Sequence, residues 1–224
     1  MATSAAALAA EGVAVACMNY RRAPEAKYPV PVIQTGEAYL WLRDNASTYA
    51  IDHERFIIAG DSAGAHIAAQ FAALQSNAAY AEEMNFSQTV PLDTFKALLL
   101  FCGPFDAAKI SESSNPVMNF FMGRAAWAYT GDKKWIAHLS GQMTISNHIT
   151  EDFPPAFITD GNSMSFEEHG RQLADALERK NIRAETYFIP FETEKTAHEY
   201  QFVMNTSAGR ESFRRALDFI LSCI

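Results

Sequence analysis

Cysteine is scarce in this chain, with Cys17, Cys102 and Cys223 the three among 224 residues. They lie far apart and each sits in an apolar run, so they suggest neither a disulfide framework nor a metal-ligand spacing. All three read as buried free thiols, and the chain is expected in a reducing, cytoplasmic compartment. Basic residues are also short: 18 Lys and Arg face 26 Asp and Glu, for a formal net charge of −8. That balance argues against nucleic acid or an anionic membrane as partner. Long apolar runs are missing too, and none suffices to span a bilayer. The Ala-rich start has no basic flank of the kind a signal peptide carries, and Glu11 interrupts it. The stretch from Met1 to Glu11 therefore reads as an Ala-rich amphipathic helix.

What is present suits one sizeable globular domain over residues 1–224. Hydrophobic residues make up 49% and charged residues 20%, enough for a full core under a polar surface. Strand and helix patterns alternate. Strands are expected at 12–18, 55–59, 97–101, 155–159 and 184–189. Helices are expected at 32–49, 62–75, 166–180 and 208–222. This order predicts an α/β fold, a mostly parallel sheet with helices on both faces. Residues 106–153 break the alternation and carry Met118, Phe120, Phe121, Met122, Trp127, Tyr129 and Trp135. Two readings stand for them: core packing of extra helices, or a cap insert whose apolar side chains line a pocket.

The most informative segment is Gly60-Asp61-Ser62-Ala63-Gly64. It follows the apolar run Arg55-Phe56-Ile57-Ile58-Ala59 and precedes an Ala-rich, breaker-free helical pattern. A G-x-S-x-G between strand and helix reads as a nucleophile elbow, which holds a serine hydroxyl above the sheet. Both glycines are expected to be needed, because a Cβ would crowd the turn. The helix start adds free N–H groups and a positive dipole end beside the hydroxyl.

A serine hydroxyl needs a general base, and histidine titrates near working pH. Of the six histidines, His66 falls on the helix after the elbow, His53 before the strand, and His138 and His148 in the insert. His169 belongs to a charged helix. His198 follows the last strand, where the chain order serine, acid, histidine requires the base. The acid should lie after the strand at 155–159, where Asp160 is the carboxylate preceding the next helix. An aspartate before Gly161 also suits a simple turn role, and Glu167 is the reserve.

The elbow, together with Tyr20-Arg-Arg-Ala-Pro-Glu25 after the first expected strand, resembles the bacterial hormone-sensitive-lipase family of α/β-hydrolase esterases. Pro154-Pro155-Ala-Phe-Ile-Thr159 and His198-Glu-Tyr-Gln-Phe202 also match that family's order. The resemblance implies an α/β-hydrolase fold and a serine esterase cleaving small carboxylic esters through an acyl-enzyme, without metal or organic cofactor. It implies Ser62 as nucleophile, His198 as base and Ala63 as an oxyanion-hole amide. The chain departs from the family twice. The usual Asp-Pro-Leu acid motif aligns on Ser163 or Met164, so Asp160 would act from nearer the strand end. No two glycines are adjacent, so the family's His-Gly-Gly-Gly oxyanion loop has no counterpart. An exposed early sheet edge would then favour a homodimer. A second reading is a hydrolase-fold protein that binds a small ligand with weakened or no catalysis; a peptidase of this fold ranks third.

Overall fold

Four parallel strands, β1 (Phe56–Asp61), β2 (Phe95–Phe101), β3 (Ala156–Thr159) and β4 (Ala184–Tyr187), pair in the order β1-β2-β3-β4. They come from a computed structural model that describes residues 2–112 and 116–224. The helices are α1 (Ala2–Ala10), α2 (Val30–Asp44), α3 (Ala46–Tyr49), α4 (Ala63–Ser76), α5 (Ala78–Glu83), α6 (Pro116–Thr130), α7 (Trp135–Met143), α8 (Glu167–Glu178) and α9 (Ser207–Leu221).

The period-two alternation of strand side chains divides the core into two layers. Leu98 and Leu100 of β2 and Ala156 and Ile158 of β3 pack with Phe71 and Leu74 of α4 and Leu173 and Leu177 of α8. Ala97, Leu99 and Phe157 point the other way, onto Phe219 and Ile220 of α9, with Leu8 of α1 alongside. Helices thus cover both faces, which is why β2 reads as an uninterrupted apolar run. Phe71, Leu74, Leu98, Leu100, Phe157 and Phe219 are each under 2% exposed. Burial of such a side chain contributes about 1.5–3 kcal/mol.

Two expectations fail together near the start. Residues 12–18 run without a ladder partner, and Val15 and Met18 are 41% and 38% exposed. An apolar run becomes a strand only when a neighbour takes its N–H and C=O groups. In the sheet order β1 pairs with β2 alone, so it forms an edge and residues 12–18 stay outside the sheet. Val13 still packs against the core beside Ile57. Cys17 is consequently exposed, and Cys223 is half-buried at the end of α9, leaving Cys102 as the buried thiol. The helix expected over 32–49 divides at Asn45, which caps α2 and opens α3.

Residues 106–153 hold α6 and α7, with a small core of Ala107, Ala126, Trp135 and Met143. Phe120 and Phe121 of α6 instead stand 63% and 62% exposed. Tyr28 joins the insert to the main body: its hydroxyl donates to Gln142 Oε1 at 3.1 Å and accepts from Gln70 Nε2 at 2.7 Å.

Candidate active site

The four strands end on one rim, and each delivers a polar side chain there. Ser62 follows β1, Cys102 follows β2, Asp160 follows β3, and His198 lies in the loop after β4. Parallel α/β sheets gather their chemistry at the carboxyl ends of strands for this reason. Backbone bonds extend the ladder to the rim: Ser62 N–H donates to Phe101 O and Cys102 N–H to Thr159 O, both at 2.8 Å.

Ser62 has φ 53° and ψ −116°, a left-handed conformation for a residue with a side chain. It holds the hydroxyl between the end of β1 and the start of α4, and such backbone strain costs about 1–3 kcal/mol. Gly60 makes the turn possible, because a Cβ there would meet Gly64 O at 2.2 Å. Gly64 differs from expectation: a Cβ on it would have nothing within 4 Å. The crowding is one-sided because Gly64 contributes its backbone carbonyl to the contact, while its own Cα faces open space. Ala63 begins α4, and the first amides of a helix have no intrahelical acceptor.

His198 bridges the rim. Its Nε2 lies 3.3 Å from Ser62 Oγ and its Nδ1 lies 3.3 Å from Asp160 Oδ1. An ionised carboxylate only accepts, so Nδ1 carries the hydrogen and Nε2 is left to accept from the serine. Both separations are at the long end for hydrogen bonds.

Asp160 is 2% exposed and compensated on both oxygens. Oδ1 also accepts from Gly161 N–H, and Oδ2 accepts from Phe166 N–H, each at 2.7 Å. The turn role expected for an Asp-Gly pair and the contact with His198 therefore coexist. Gly161 is required sterically, since a Cβ would fall 2.1 Å from Ala197 O, beside His198. Phe166 additionally sets its ring edge-on to His198, with centroids 5.7 Å apart. Glu167 turns away and pairs with Arg171 at 2.6 Å. Ser163 lies in the same loop and bridges to Ala197.

The remaining histidines are engaged elsewhere where the structure gives their partners. His66 is buried with Nε2 2.8 Å from Met143 O. His138 meets Asp132 at 2.6 Å, His148 stacks on Tyr80, and His169 Nδ1 accepts from Asp106 N–H at 3.1 Å. Burial alone would lower the pKa of His198, but the Asp160 hydrogen bond and charge, with Glu199 and Asp61, raise it above 6.5.

Three neighbours of the site escaped sequence reasoning. Asp61 is half-buried, and its Oδ1 has no hydrogen-bond partner. Desolvation and the nearby Glu199 carboxylate push its pKa from 3.8 to about 7. Glu199 sits at φ 66°, directly after His198. Cys102, at φ 58°, places Sγ 3.3 Å from Glu199 N and 3.2 Å from Gln201 Nε2. The available signal was position, because Cys102 occupies the same strand-end site on β2 that Asp160 occupies on β3.

A family model described as alpha/beta hydrolase fold matches residues 2–201. The chain is 23% identical over 205 residues to a probable carboxylic ester hydrolase, LipM, of Mycobacterium tuberculosis, covering 90% of this chain and 45% of that protein. It thus spans under half the length of that relative. It is 39% identical over 68 residues to the carboxylesterase NlhH of the same species, 30% of this chain and 21% of that one. Among solved structures, esterase B of Lactobacillus rhamnosis superposes with a TM-score of 0.78 at 21% identity, covering 97% of this chain and 69% of that one. An esterase of Pyrobaculum calidifontis gives a TM-score of 0.70 at 21% identity, with 92% and 65% covered.

Proposed function

This chain belongs to the alpha/beta hydrolase fold family, and we propose that it is a serine esterase acting on small carboxylic esters. The observation that carries the reading is the continuous contact from Ser62 Oγ through both nitrogens of His198 to the buried Asp160. Its relatives named as ester hydrolases support the same class.

In this reading Ser62 Oγ attacks the ester carbonyl while His198 Nε2 takes its proton. Asp160 keeps Nδ1 protonated and stabilises the imidazolium that forms. The amide of Ala63, at the positive end of α4, donates to the developing oxyanion. The tetrahedral intermediate collapses, and the alcohol departs with the proton from Nε2. Water, activated by the same nitrogen, then releases the acid from Ser62. Residues 106–153 act as a cap over this rim and form an apolar wall for the acyl or alcohol group.

Hydrolysis of p-nitrophenyl acetate, butyrate and octanoate tests the proposal. Turnover that falls about 10⁶-fold in Ser62→Ala supports it, matching the loss of a nucleophile in a triad. Turnover unchanged by that substitution would assign the reaction to another group.

A further inference from the structure

We propose that Cys102, Asp160 and His198 form an inhibitory site for a divalent transition metal of the zinc class. Their ligand atoms, a thiol sulfur, a carboxylate oxygen and an imidazole nitrogen, lie within 4.8 Å of one another. In tetrahedral zinc, ligands at about 2.0–2.3 Å from the ion stand roughly 3.3–3.8 Å apart. His198 Nδ1 and Asp160 Oδ1 are already at 3.3 Å, and the sulfur has to close from at most 4.8 Å to complete the set. The mixed sulfur, nitrogen and oxygen set suits zinc, cobalt and cadmium, and does not suit magnesium or calcium, which take six or more oxygens.

A second observation concerns the sulfur itself. Glu199 N–H and Gln201 Nε2 both approach Cys102 Sγ, at 3.3 and 3.2 Å. Gln201 Oε1 also accepts from the neutral thiol at 3.3 Å; once the sulfur binds a metal as thiolate, the Glu199 N–H and the Gln201 Nε2–H are the donors left to stabilise it. Burial and the Asp160 charge oppose that form and raise the thiol pKa. A cation between sulfur and carboxylate removes both objections at once. His198 offers the route in, since its side chain is 25% exposed while that of Asp160 is 2% exposed.

Binding releases one proton. The Cys102 S–H bond breaks, the sulfur bonds the metal, and that proton passes to solvent. The Nδ1 hydrogen of His198 is exchanged through solvent for one on Nε2, so the ring stays neutral while Nδ1 bonds the metal. Nε2 then has no lone pair for the Ser62 proton. The inhibition rests on the esterase reading; the binding does not.

Titration of the apo protein with Co²⁺ or Cd²⁺ reads binding through thiolate-to-metal charge-transfer absorption. Zn²⁺ inhibition of ester hydrolysis, and its reversal by EDTA, reads the consequence. The band is expected in wild type and in the Cys17→Ser/Cys223→Ser protein, where Cys102 is the remaining thiol. In Cys102→Ala the band should vanish, and the half-inhibitory Zn²⁺ concentration should rise about tenfold or more. Mg²⁺ should do neither. A band missing from the folded double variant overturns the proposal whether or not that protein is active. Equal Zn²⁺ inhibition of active wild type and Cys102→Ala also overturns it. A band in a protein without esterase activity supports the metal site and sinks only the proposed reaction.

Discussion

Asp160 Oδ1 and His198 Nδ1 stand 3.3 Å apart across 38 residues of chain, joining the end of β3 to the loop after β4. Two backbone amides from its own loop hold the carboxylate independently of the histidine. The contact is therefore built into the fold. Replacement by Asp160→Asn keeps the shape but lets the amide donate, which favours the wrong imidazole tautomer. The kcat for a p-nitrophenyl ester is expected to fall by about 10⁴, with the circular dichroism spectrum unchanged. A loss below tenfold would mean that Asp160 serves the turn alone.

Gly60 and Gly64 are expected to part company on mutation. Gly60→Ala forces a Cβ to within 2.2 Å of Gly64 O, so the elbow must open and both stability and activity should be lost. Gly64→Ala has open space and lies in the first turn of α4, where Ala is favoured over Gly by about 0.5–1 kcal/mol. Thermal denaturation of the two variants checks this directly, with Gly64→Ala at or above wild-type Tm.

The pH dependence follows from His198 and Asp61. In the proposed reaction His198 acts as base only when neutral, and its pKa lies above 6.5, so kcat/KM should fall as pH drops through that raised value. Asp61 bears charge only above about pH 7, so Asp61→Asn removes a contribution that raises His198 there, and any displacement of this acid limb should be to lower pH. Stability changes in the other sense. Folded Asp61 holds its proton up to about pH 7, against 3.8 for an ordinary aspartate, so the fold loses stability as pH rises through that window. Asp61→Asn should therefore raise Tm at pH 8 and leave it nearly unchanged below pH 3.8. An acid limb moved to higher pH, or a Tm gain confined to low pH, would contradict this assignment.

Much of this was legible in the sequence where local pattern and tertiary role agree. The Ala97–Phe101 run is apolar because both faces of β2 are covered, and Gly60-Asp61-Ser62-Ala63-Gly64 carries its turn in its own residues. Residues 12–18 misled because an apolar run does not state whether a partner strand stands beside it. Asp160 could be ranked only by chain order, since the adjacent Gly161 suited a plain turn equally well and the Phe166 amide reaches it only through the fold of the loop. Cys102 gave no spacing signal at all, because its neighbours Asp160 and His198 arrive from separate strand ends. The strained residues were equally silent: Ser62, Cys102, Met164 and Glu199 all have positive φ, and all lie on loops of this rim. Such strain gathers where a rigid scaffold fixes functional groups, and no residue type announces it.

Labelling with a fluorophosphonate probe, read by peptide mass spectrometry, tests the role of Ser62 most directly. A single adduct on the peptide containing Ser62 is expected, absent in Ser62→Ala and strongly slowed in His198→Ala. Folded wild-type protein that takes no label at Ser62 would contradict the assignment of a nucleophile to this elbow.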